Sequence, residues 1–195
     1  MWRVLVFAAA LAGVCSFAGE PVRAEEAMRL SKAGFLEMAG RQVHCERVRL
    51  RLDRHLENLG AAAPDDRLLV INPFLLRQYS RTVQLFVFHH ECGHHRVGAS
   101  ELKADCWAVE RGVRDGWLDR NGLSQVCRSF EDAPETETHP SGRRRCANID
   151  RCFAATERTI ANEQKAQQRQ IETAALRAAP KLVSGPHLVR SSVLR

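Results

Sequence analysis

Aromatic side chains are scarce, at 6% of 195 residues, and Tyr79 is the single tyrosine. Recognition of single-stranded nucleic acid leans on aromatic stacking platforms, so no nucleic-acid partner is expected. No two cysteines stand in a CxxC pair, which argues against a four-cysteine structural zinc site and a thioredoxin-type redox site. No internal repeat is visible. Beyond residues 4–18 there is no long apolar run, so no stable membrane span is expected once a leader is removed. The formal charge of +6 is moderate and Arg143-Arg144-Arg145 is the main basic block, a balance that reads as solubility or attraction to anionic surfaces.

The chain does carry an export signature. Met1-Trp2-Arg3 precedes an apolar stretch from Val4 to Ala18, and Val22-Arg23-Ala24 offers a small-x-small cleavage site. Residues 1–24 are expected to be a signal peptide and the mature chain to begin at Glu25, exported to a periplasm or secreted. An uncleaved anchor is the alternative. Lipidation at Cys15 is disfavoured because Val14, not a small residue, precedes it. Cys45, Cys92, Cys106, Cys127, Cys146 and Cys152 then remain, an even set that favours disulfides in an exported chain. Sequence does not choose the pairing.

The length suits one domain, drawn here as residues 25–152, followed by a polar helical arm and flexible tail over 153–195. Ala27 to Ala39 reads as a short helix ended by Gly40. Val48–Leu52 and Leu68–Ile71 read as two strands able to pair. Ser80 can cap an apolar helix running to His95 with a stop at Gly98, and Ser100 can cap a second helix toward Gly112. Residues 131–145 are polar and hold Pro134, Pro140 and Gly142, which predicts a loop. The expected fold class is α+β, mostly helical, with a small sheet before the central helix.

That helix carries His90-Glu91-Cys92-Gly93-His94. Histidines four residues apart share a helix face and can bind one metal ion, while a glutamate between them can take a proton from water on that ion. The pattern implies a mechanism: Glu91 as general base, His90 and His94 as ligands of a single Zn2+ per chain. A third protein ligand is needed. The metzincin positions for it hold Val97 and Ser100, whereas Glu101 opens the next helix and suits the role. Asp105, one turn on, can accept the second ring proton of a ligand histidine. The rival assignment makes Asp105 the ligand. His89 and His95 lack the spacing and read as neighbours of the site; Cys92 should face away from it, and Gly93 should let another segment pack closely.

These residues resemble gluzincin metallopeptidases of the CAAX-prenyl-endopeptidase and heat-shock membrane protease type, and bacterial neutral zinc metallopeptidases. Three pieces carry the likeness: the motif from His90 to His94, Glu101-Leu102-Lys103-Ala104-Asp105, and Thr138-His139-Pro140 with Arg145 five residues beyond the proline. The resemblance implies a minimal zincin-like fold, Glu101 as third ligand, Asp105 behind the ligands, His139 as an electrophilic helper and Arg145 as a support for the acidic cluster. Membrane-bound members insert a long segment between the two helices, where this chain has only residues 95–100. The expected activity is hydrolysis of peptide bonds in a peptide or protein substrate. Two other readings stay open: a non-catalytic zinc-containing scaffold of the cell envelope, and a zinc amidase acting on cell-wall peptides. No feature assigns an oligomeric state.

Overall fold

A computed structural model describes residues 28–178. The expected signal peptide, and the tail beyond residue 178, lie outside the described residues. Among them no helix is long and apolar enough to cross a membrane.

The first segment differs from the expected helix. It forms a three-stranded antiparallel sheet, β1 (Arg29–Leu30), β2 (Leu36–Met38) and β3 (Arg41–Val43). Leu36 and Met38 are both 1% exposed and Glu37 between them points outward. A helix would turn those two apolar side chains about 200° apart, whereas a strand puts them on one face. A tight turn, in which Gly34 N–H donates to the Ser31 carbonyl, closes the preceding hairpin.

A second sheet has β4 (Arg49–Leu52), β5 (Gly60–Ala63) and β6 (Leu68–Ile71) in the order β4-β6-β5, with β4 parallel and β5 antiparallel to β6. The two strands read from the sequence are neighbours, as expected. β5 is new. Its Gly-Ala-Ala-Ala run has no branched or aromatic residue to announce a strand; pairing with β6 and packing on the central helix hold it. A short helix, α1 (Pro73–Leu76), follows, capped by buried Asn72, whose amide also donates to the Arg54 and Leu56 carbonyls.

Four longer helices complete the described residues: α2 (Arg81–Val97), α3 (Glu101–Arg114), α4 (Arg120–Phe130) and α5 (Gly142–Ala178). Ser80 caps α2 by accepting from Val83 N–H, and α2 ends at Gly98, both as read from the sequence. α2 is central. Its Leu85, Phe88 and Cys92 pack on the sheets with Leu36, Met38, Leu69 and Ile71, while Val83 and Phe86 pack on the helices with Ala108, Val126, Ile149 and Phe153. The fold is α+β and mostly helical.

Two further features depart from expectation. Asp119 caps an unforeseen α4, and the loop after it ends early because α5 begins at Gly142, so Arg145 sits on a helix. The line drawn at residue 152 falls inside α5, whose Phe153 and Thr156 are still buried against the core. Of the six cysteines among the described residues, Cys45 pairs with Cys92 and Cys106 with Cys152, while Cys127 and Cys146 are free thiols.

Candidate metal centre

α2 and α3 are antiparallel neighbours joined by only three residues, and Gly93 lets them close up: a Cβ there would stand 3.2 Å from the Ala104 backbone. This approach brings Glu101, at the start of α3, over the last turns of α2. Three donor atoms converge. His90 Nε2 and His94 Nε2 are 3.1 Å apart, His90 Nε2 and Glu101 Oε2 are 3.2 Å apart, and His94 Nε2 and Glu101 Oε1 are 3.4 Å apart. Ligands at about 2.0 Å from a tetrahedral zinc ion are separated by about 3.3 Å. The group could hold a metal ion.

The far side of each imidazole is fixed. His90 Nδ1 lies 2.9 Å from Asp105 Oδ1 and His94 Nδ1 lies 3.0 Å from the Gly98 carbonyl. A neutral imidazole held this way donates from Nδ1 and turns the lone pair of Nε2 inward. The Asp105 contact matches the sequence reading. The Gly98 carbonyl was missed, because that glycine was read only as a helix stop, although a carbonyl freed at a helix end is a ready acceptor.

The charge balance favours a cation. Burial pulls His90 down, but hydrogen bonds to Asp105 and Glu101 outweigh it and raise its pKa to about 9. At Glu101 burial works the other way and is outweighed by His90 and His94, which hold the carboxyl well below its usual range. Its Oε2 is buried without a well-directed hydrogen bond, though His90 Nε2 is near. Close, poorly directed donors of this kind fit a shared ion better than they fit one another.

No family model, curated protein or solved structure matches the chain. The centre is therefore read from its own chemistry. Glu91 lines the cleft beside the three donors, and burial raises its carboxyl above the ordinary carboxylate range against the pull of His90 and His94. Arg145 donates from Nε to Asp105 Oδ2 at 2.9 Å and its NH1 is 3.8 Å from Glu101 Oε2; its guanidinium also rests on the Phe130 ring, 4.8 Å from the centroid. His139 reaches the cleft from the loop between α4 and α5, with Nε2 3.6 Å from Glu101 Oε1. A turn holds it, Thr136 Oγ1 accepting from His139 N–H. All seven residues singled out for the site are brought together.

The cleft has two adjoining lobes of about 350 and 240 Å³. One is walled by β5, through Gly60, Ala61 and Ala62. The other is more apolar, between Leu59, Phe86, Val87 and Phe130. β5 is the outer strand of its sheet, and its residues line the cleft beside the centre. Gly60 was not anticipated, and it matters: a Cβ there would stand 2.8 Å from Glu91 Cγ.

His89 and His95 do not border the centre. His89 is turned about 100° from His90 on the helix; it stacks on Trp117 at 5.2 Å, and burial lowers its pKa to about 4. His95 lies toward the Leu68 backbone. Cys92 faces away, as expected, and is bonded to Cys45.

Proposed function

We propose that this chain is an exported zinc metallopeptidase of the gluzincin type. The observation that carries the reading is the convergence of His90, His94 and Glu101 donor atoms at 3.1–3.4 Å, with Glu91 beside them in an open cleft. Two imidazoles and one carboxylate are a donor set suited to catalytic zinc, and they leave a fourth position open. A zinc ion bound there supplies a Lewis acid that acidifies water and polarises a carbonyl.

The chain's own groups account for the rest. Glu91, its carboxyl raised by burial, takes a proton from the attacking water and delivers it to the departing amine nitrogen. Asp105 keeps His90 in the tautomer that points Nε2 inward, and Arg145 neutralises the charge of the Asp105 and Glu101 carboxylates. His139, half-exposed at the rim, donates to the carbonyl oxygen as charge develops on it. A substrate in extended conformation adds to the free edge of β5, whose small side chains let it lie close. The two disulfides accord with an oxidising compartment.

Two measurements test the reading. Purified protein is expected to contain zinc near one per chain and to cleave an unstructured protein such as casein. Glu91→Gln should keep the zinc and lose the cleavage. A protein without zinc, whose stability ignores a chelator, would overturn it. Cleavage of peptidoglycan fragments but not casein would turn the same centre into an amidase.

A further inference from the structure

Among the described residues four of six cysteines are paired; the two left over stand opposite one another. Cys127 is in the last turn of α4 and Cys146 near the start of α5, both half-buried, and the two thiols interact across the joint. The joint they occupy is tight. Gly142 N–H donates to the Ala133 carbonyl at 2.9 Å, and a Cβ on Gly142 would fall 1.8 Å from the Phe130 carbonyl oxygen. Their neighbours in sequence make the second contact across it: Phe130, three residues after Cys127, lies under the guanidinium of Arg145, which immediately precedes Cys146.

We propose that Cys127 and Cys146 are a disulfide-forming pair that staples α5 to α4 and thereby holds Arg145 against Asp105 and Glu101. The close approach of α5 to α4 at Gly142 and the Phe130–Arg145 contact bring the two thiols to face one another, as a disulfide between them requires. In the exchange, Cys146 as thiolate attacks an external disulfide, oxidised glutathione for example, breaking its S–S bond and expelling one glutathione thiolate. Cys127 gives its proton to solvent and attacks Cys146 Sγ in the mixed disulfide, expelling the second. Two electrons pass from the cysteine pair to glutathione, which leaves as two thiols.

The staple concerns a positioning residue. Arg145 bonds most closely to Asp105 and also stands 3.4 Å from His90 Nδ1 and 3.8 Å from Glu101 Oε2, so a loose start of α5 weakens the support behind the donors.

The test uses the whole exported chain equilibrated with oxidised glutathione, alkylated, and digested with trypsin without reduction. Trypsin cuts after Arg145 and Arg151, so Cys146 and Cys152 fall in separate peptides. The expected result is peptide 121–128 joined to peptide 146–151. Alkylated Cys127 and Cys146 beside intact Cys45–Cys92 and Cys106–Cys152, or linkage of either to another cysteine, would overturn the proposal. The double variant Cys127→Ser, Cys146→Ser, with the other two disulfides intact, should exchange amide hydrogens over residues 142–146 about tenfold faster or more. It should also lose zinc sooner to a competing chelator. Unchanged exchange would overturn the stapling role. The zinc readout alone rests on the metallopeptidase reading; the peptide map and the exchange decide the staple without it.

Discussion

Gly60 and Glu91 are packed so closely that no side chain fits between them, a Cβ on Gly60 standing 2.8 Å from Glu91 Cγ. The same Cβ would meet Ile71 and Val87 at 3.2 and 3.3 Å, so neither strand nor helix has room to yield. Gly60→Ala is expected to push the Glu91 carboxylate out of line. Misplacement of a reacting group by about 1 Å costs on the order of a hundredfold in rate. Peptidase kcat should fall by roughly that factor, with zinc content unchanged; an equal loss of zinc would place Gly60 in folding rather than in catalysis.

Asp105 is fully buried between His90 and Arg145. Asp105→Asn leaves Arg145 without its charge partner and His90 with an acceptor no longer fixed. Zinc affinity should drop about 10- to 100-fold, and unfolding stability by about 3 kcal/mol as for a broken buried ion pair. Competition with a chromophoric chelator reads the first, and denaturant unfolding with zinc in excess the second.

Burial lowers His89 to about 4, with Arg111 adding to the effect. The unfolded chain takes up this proton near pH 6.5 while the folded chain refuses it until about pH 4. Stability from this residue is thus complete above pH 6.5, declines as pH falls between those values and levels off below about 4, a loss of about 3 kcal/mol. His89→Phe should flatten that part of the stability curve relative to the native chain. Parallel curves would remove His89 as the cause.

Removal of metal should be felt by the whole fold, because Glu101 joins α3 to α2 at the donor cluster. Free zinc at a thousand times its dissociation constant stabilises a protein by about 4 kcal/mol. EDTA is expected to lower the melting temperature by several degrees, and zinc, not magnesium, to restore it. A melting temperature indifferent to both would remove the metal centre.

The centre was legible because its residues lie on two helices whose caps and apolar faces are explicit in the sequence. Spacing on one helix fixed the histidine pair, and with only three residues between the helices Glu101 had little choice of place. Asp105 followed by helical period. What local pattern could not give lay across the fold. Met28, Leu30, Leu36 and Met38 stand at even spacings that suit strands better than one helical face, but the strands are only two and three residues long and the turn at Gly34 divides them. β5 has no intrinsic preference for a strand and exists through pairing with β6. α4 has its signal in Asp119 but a modest run of apolar residues, Leu123 and Val126, after it. The disulfide partners, 46 and 47 residues apart, are chosen by packing alone. Arg145 was named from the resemblance, and the reason for its place is the close approach at Gly142, which no spacing rule expresses.

The Cys45–Cys92 bond enters the segment from His90 to His94 from behind, at the residue between Glu91 and Gly93. It sets an order of events in the making of the protein. Until Cys92 is oxidised, the helix that presents both histidines is tied to the N-terminal sheet by noncovalent packing alone. A chain still among cytoplasmic thiols is thus braced less firmly at its centre than one that has met an oxidant. On the proposed function, oxidation of Cys92 and readiness to take up the ion become linked steps of one maturation.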